Sequence, residues 1–256
     1  LGAITGSWYD PSTAGQGVVL HPVNDDLTIF SFYGFENDGT PLWLTGVSED
    51  LLETAFSSEF KMYVNSGGNF GSFTPGQITE EEWGTMKVTF DTCSKATAEL
   101  DGISGQQIMH IERLVRLEGM ECDQKIPPSP ASAGITGSWY EPATAGQGLV
   151  LHVINDQQML VSFYGYKNDG KKLWLIGVYS GGVNMGEPLV VNMITASGGS
   201  FGGFAPGDIT ETSWGTLTIN FGDCDDATAV LDGVDGQQTM NMVKLAGLQG
   251  STLNCH

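Results

Sequence analysis

The feature that most constrains this chain is that it is written twice. The segment "AITGSWYDPSTAGQGVVLHPVNDD", from Ala3, returns as "GITGSWYEPATAGQGLVLHVINDQ" from Gly134, and residues 4–106 align without a gap onto 135–237 at a constant offset of 131. Self-similarity at a fixed period means two copies of one structural unit. A chain of 256 residues has room for two ordinary domains. The expected organisation is a first unit over 1–122, a linker over 123–133 and a second unit over 134–256. The linker, "DQKIPPSPASA", is rich in Pro, Ser and Ala and reads as an extended, semi-rigid spacer.

Within each copy the patterning is that of strands. "LTIFSFYGF" and "MLVSFYGY" are aromatic and β-branched runs leading into "NDG", a strong turn signal, and "PLWLTGV" or "KLWLIGV" completes the hairpin. "SEFKMYV" or "PLVVNMI" follows, then a glycine-rich stretch, then "WGTMKVTF" or "WGTLTINF", then a last hairpin turning at Asp-Gly and Gly residues. The glycine-rich "SGGNFGSFTPG" lacks the Lys-Ser/Thr of a phosphate-binding loop and reads as tight turns. "TEEEWG", Thr79 to Gly84, resembles a helix capping box with room for one turn. About eight short strands at this spacing predict an all-β fold: two tandem antiparallel β-barrels or β-sandwiches.

Thirty acidic residues against ten basic ones give a formal charge of −20, which disfavours nucleic acid and anionic membrane surfaces as partners. No apolar run is long enough for a spanning helix, so membrane insertion is not expected. The chain starts at Leu1 with no visible signal peptide, and a removed export signal is expected. The four cysteines fall two in each copy, Cys93 and Cys122, then Cys224 and Cys255, without the close pairs typical of zinc sites. Of the three possible pairings, duplication favours Cys93–Cys122 and Cys224–Cys255. Each bridge would close a loop worth about 3–4 kcal/mol by chain entropy. Such bridges imply an oxidising compartment, so the expected location is secreted, extracellular or cell-surface.

The ordered set "GSWYDPSTAGQG", "FYGFENDGTPLWLTG", "GGNFGSFTPG", "WGTMKVTF" and the paired cysteines resembles a repeat of secreted or surface proteins of proteobacteria, often found in tandem or attached to other exported domains. That resemblance implies export and repetition, and carries no established activity or ligand. The Gly-x-Trp opening, in an Ile-Thr-Gly context, is also similar to the first strand of streptavidin-type and lipocalin (calycin) barrels. It implies an eight-stranded barrel closed at one end by the Trp.

Several side chains are candidate ligand contacts. Trp8 and Trp43 recur as Trp139 and Trp174, and indole faces stack on sugar rings and other flat ligands. The remaining pair, Trp83 and Trp214, is read the same way. On "FSFYGF", Ser31, Tyr33 and Phe35 share one face and Phe30 and Phe32 the other, with Ser162, Tyr164 and Tyr166 equivalent to the first set. Both faces are substantially apolar. One is expected to line the core and the other a semi-polar groove, with those Ser and Tyr hydroxyls, Gln16 and Gln147 supplying hydrogen bonds; Tyr9 and Tyr140 are further candidate contacts. His21 and His152 are further candidates for that groove. They could instead form acid–base pairs with Asp10 and Glu141, although no nucleophile signature accompanies them. "FGDCDDATAVLDGVDG" gathers Asp223, Asp225, Asp226, Asp232 and Asp235, oxygen donors suited to Ca²⁺, but without the EF-hand pattern. Solvated loop acids are the expected reading, with no metal and no cofactor.

The functional expectation is a secreted, non-catalytic binding or adhesion protein. Each copy would recognise an extracellular ligand such as a glycan or a small molecule, and two weak sites on one linker would gain avidity of about 10²–10⁴. The alternatives are a secreted hydrolase using His21/Asp10 and His152/Glu141, and a calycin-like carrier of a small molecule.

Overall fold

The computed structural model describes residues 4–13, 15–23, 27–48, 57–74, 76–115, 131–144, 146–203 and 205–246. The first copy forms β1 (Gly6–Tyr9), β2 (Gly17–Pro22), β3 (Thr28–Phe35), β4 (Pro41–Ser48), β5 (Ser57–Ser66), β6 (Thr79–Thr92), β7 (Lys95–Gly102) and β8 (Gly105–Arg113). The second forms β9 (Gly137–Tyr140), β10 (Gly148–Asn155), β11 (Gln158–Tyr166), β12 (Lys172–Ser180), β13 (Leu189–Ser197), β14 (Thr210–Phe221), β15 (Asp226–Gly233) and β16 (Gly236–Ala246). Neighbours in sequence pair antiparallel, and the last strand of each set returns to its first, β8 on β1 and β16 on β9. Both copies are therefore closed eight-stranded up-and-down barrels, and closure removes the unpaired sheet edges that invite aggregation.

The strands form where the sequence alternates. In β7, Ala96, Ala98 and Leu100 point inward while Lys95, Glu99 and Asp101 face water. In β8, Gln107, Met109 and Ile111 are buried and Gln106, Ile108 and His110 are exposed. The turn between β3 and β4 is the expected Asn-Asp-Gly: Gly39 takes a positive φ of 81°, and Asp38 Oδ1 accepts hydrogen bonds from the Thr40 N–H and hydroxyl. Thr79 to Gly84 is not a helical turn. It begins β6, with Thr79 opposite Ser66 and Glu82 opposite Tyr63. "GTMKVTF" beyond it keeps a two-residue period, so the ladder continues back through "TEEEW" and no helix follows for the box to cap.

Large side chains of its own strands fill most of each barrel. Trp8, Phe30, Phe32, Phe60, Trp83 and Met86 belong to one cluster inside the first barrel, with Phe30 stacked on Phe60. Trp139, Phe163, Met193 and Trp214 fill the second. The Gly-x-Trp tryptophans are buried and anchored to the residue four positions earlier: Trp8 Nε1 donates to the Ile4 carbonyl at 3.0 Å and Trp139 Nε1 to that of Ile135 at 2.9 Å. Arg113 lies over the Trp8 ring and Lys244 over that of Trp139.

Of the expected linker, residues 131–133 are described, and they join a 3-10 turn, Ala131–Ile135, rather than an extended spacer. Cys93 lies between β6 and β7, and neither Cys93 nor Cys224 is a free cysteine. The expected partners Cys122 and Cys255 lie outside the described residues.

Candidate functional site

The two barrels are packed face to face, and the surface between them is made of the residues singled out for a ligand groove. Outward-facing Val19, Tyr33, Phe35 and Trp43 of the first barrel form one buried cluster with Val150, Tyr164, Tyr166 and Trp174 of the second. Tyr33 pairs across strands with Trp43, and Tyr164 with Trp174, so each barrel offers an aromatic pair on one wall. The indoles are reciprocally anchored. Trp43 Nε1 donates to the Gly165 carbonyl and Trp174 Nε1 to the Gly34 carbonyl, each at 3.0 Å. The groove expected on each copy is thus occupied by the other copy. Burial raises the Tyr33 and Tyr164 phenols above their usual range.

A polar seam runs through this apolar contact. His21 and His152 are each 1% exposed, and their Nε2 atoms stand 2.7 Å apart. His21 Nδ1 lies 2.6 Å from Ser138 Oγ, and His152 Nδ1 lies 3.0 Å from Ser7 Oγ. A bond between two ring nitrogens needs one N–H and one lone pair. With both imidazoles neutral, the ring that donates at Nε2 accepts its serine hydroxyl at Nδ1. The other ring accepts at Nε2 and donates from Nδ1. The four side chains therefore form one directional chain across an otherwise two-fold contact. Burial pushes the His21 pKa down to about 4. Burial, then His21, then Arg113 hold that of His152 well below its usual value.

The proposed acid–base pairs do not form. Asp10 Oδ1 accepts from the Ser12 N–H and hydroxyl and Oδ2 from the His110 N–H. Glu141 takes the Thr144 hydroxyl. The reason is position: both carboxylates follow the short first strand and close a local turn, whereas both histidines point outward into the other barrel. A ring this buried and this weakly basic is suited to holding a contact together rather than to abstracting a proton from a substrate.

The glycine-rich stretches supply a second, interlocking contact. Phe70 of the first copy belongs to the core cluster of the second barrel, edge-on to Trp214, with ring centroids 5.5 Å apart. Phe201 does the converse, lying in the first barrel's cluster against Trp83 at 5.3 Å. The Phe70 N–H donates to the Lys167 carbonyl, and Asn69 Nδ2 to that of Asn168. Glycine is required on the approach: a Cβ on Gly68 would collide with the Tyr166 ring, and one on Gly199 with the Phe35 ring.

The other expected contacts lie elsewhere. Trp8, Trp139, Trp83 and Trp214 are core residues, and Tyr9 and Tyr140 are half-buried at barrel ends. Gln16 and Gln147 are buried beside Gly34 and Gly165, the two glycines whose carbonyls receive the tryptophans. Ser7, Ser138, Phe70 and Phe201 were not anticipated. Alternation alone put each serine opposite the inward-facing Trp beside it, and the repeated Phe within the repeated glycine loop was the available signal. Among the acids near the chain end, Asp223 accepts from the Asp225 and Asp226 N–H groups, and Asp235 from Trp214 Nε1. Among the described residues no group of three His, Cys, Asp or Glu is placed to hold a metal ion.

The described residues also form concavities. An open groove of about 440 Å³ crosses the outer wall of the first barrel beside Glu59, Lys87, Glu99 and Asp101. Smaller clefts of about 240 and 370 Å³ follow the seam between the barrels. Compared with protein-family models, curated proteins and solved structures, the chain gives no match.

Proposed function

We propose that this chain is a non-catalytic binding module of a secreted or surface protein, in which the two barrels act as one body toward an extracellular ligand such as a glycan. The observation that carries the reading is the reciprocal anchoring of Trp43 and Trp174 in the opposite barrel. The aromatic and histidine side chains with chemical potential serve cohesion, leaving recognition to the clefts along the seam and to the polar outer walls. Duplication then serves rigidity rather than the reach of two tethered sites. Disulfides Cys93–Cys122 and Cys224–Cys255, and the resemblance to exported proteobacterial repeats, belong to the same reading.

The test is to apply the intact protein to an array of extracellular glycans and, separately, to model esters and glycosides. Saturable retention without turnover is expected. Turnover that vanishes in a Ser138→Ala/His21→Gln variant would replace this reading with the hydrolase.

A further inference from the structure

The cleft of about 240 Å³ on the seam is lined by Glu36, Thr40, Asn65 and Ser66 from the first barrel and by Tyr166, Lys171 and Lys172 from the second half. Two of its lining residues each carry an orphaned polar atom that is closed to solvent. Asn65 is 8% exposed and Tyr166 1%, and neither Asn65 Oδ1 nor Tyr166 Oη has a hydrogen-bond partner. Burying such a group unmet costs about 1–3 kcal/mol, and native structures hold few of them.

The internal repeat shows that packing does not demand these polar atoms. At the constant offset, Asn65 corresponds to Ala196 and Tyr166 to Phe35. Ala196 and Phe35 are both buried in the inter-barrel cluster. One half of the contact is therefore apolar at both positions, and the other half carries an amide and a phenol on a single cleft. Charge singles out the same place. Three of the ten basic residues of this acidic chain, Lys167, Lys171 and Lys172, fall within one six-residue turn, and the latter two line the cleft. Lys172 faces Glu36 at 3.8 Å and Lys171 faces Asp169 at 3.6 Å, long contacts that leave ammonium donors available. Glu36 is also held by the Ser104 hydroxyl.

We propose that this cleft binds a hydroxylated carboxylate, one molecule per chain. With the Asn65 and Tyr166 side chains turned toward the cleft, the ligand carboxylate accepts from the Tyr166 hydroxyl and from Lys171 or Lys172, and a ligand hydroxyl donates to Asn65 Oδ1. A volume below the about 300–1,000 Å³ of drug-sized pockets suits a single ring or a shorter acid. This chemistry has two sources, a uronic acid residue of a polysaccharide and a free hydroxy acid. The uronate arm rests on the glycan reading above; the site itself does not.

The experiment is calorimetric and NMR titration of the full chain with D-glucuronate, with D-tartrate and with neutral D-glucose at low ionic strength. Saturable binding of an acid is expected, with amide shifts at Ser66 and Lys172 and none from glucose. Asn65→Ala and Tyr166→Phe install the residues that the other half already carries, so both variants fold. Tyr166→Phe should weaken the acid by at least about tenfold, the loss of one good hydrogen bond to a charged group, and Asn65→Ala by about three- to tenfold, the loss of a neutral one. Binding of glucuronate alone identifies the polysaccharide source. Binding of tartrate alone identifies the free acid and sets the glycan reading aside while the site stands. No saturable binding of either acid, or binding unchanged in both variants, overturns the site, whatever the intact protein does with neutral glycans.

Discussion

His21 and His152 meet Nε2 to Nε2 at 2.7 Å although they occupy the same position in two copies of one unit. Their contact lies where the two walls cross, and only one proton can occupy it. Two identical side chains therefore hold opposite hydrogen-bonding roles.

That contact makes stability depend on pH. In the unfolded chain each ring titrates near its ordinary value of about 6.5, whereas folded His21 stays neutral down to about 4. Between those values the unfolded chain binds more protons, so the contribution is full above about 6.5 and is lost as pH falls toward 4. One histidine sets a slope of at most about 1.4 kcal/mol per pH unit. Urea midpoints measured between pH 7 and pH 4.5 should fall more steeply for the native chain than for His21→Gln/His152→Gln. Equal slopes would sink the assignment, since the carboxylates are common to both.

Exchange of Phe70 and Phe201 predicts damage in the wrong place. Phe70→Ala should cost about 3–5 kcal/mol, as for a large aromatic removed from a core. The loss should register in the second barrel, around Trp214, rather than around Phe70's own strands. Amide hydrogen exchange read strand by strand decides this, and Phe201→Ala should give the mirror result around Trp83.

Gly199→Ala tests the close approach directly. The added methyl meets the Phe35 ring, and a forced shift in a packed contact costs about 1–3 kcal/mol. Pairing it with Phe35→Ala should recover part of that loss, a coupling visible in a double-mutant cycle. Strictly additive losses would show that the loop has room to move.

A chain ending at residue 122 would bare Tyr33, Trp43 and His21 and would lack Phe201 in its core. It should not persist as a folded monomer. Sedimentation should find it self-associated, because the exposed face suits a second copy of itself, or near-UV circular dichroism should find its tryptophans disordered. A stable, dispersed monomer would show that the barrels are separable.

The barrels themselves were legible because local signals agreed: alternation in "KATAELDG", the Asn-Asp-Gly turn, and Gly-x-Trp at the first strand all specify the same closed meander. The strand "FSFYGF" is likewise apolar on both faces in the sequence and largely buried on both in the fold. What one chain's periodicity does not encode is what covers the second face. A groove for a ligand and a wall for another barrel ask for the same aromatic residues, and only long-range packing distinguishes them. The histidines misled for a related reason, since sequence proximity suggested Asp10, while the true partners lie 117 and 131 residues away. The glycine loop hid its role because close approach and tight turning demand the same residue.

The reciprocal seat of Trp43 and Trp174 has one more consequence. A pair of identical subunits must accept every substitution on both sides of their axis at once. Two halves joined in a single gene product are released from that obligation, so the two sides can diverge independently. Phe35 and Ala196 on one side, with Tyr166 and Asn65 at the corresponding positions on the other, are differences that such freedom allows.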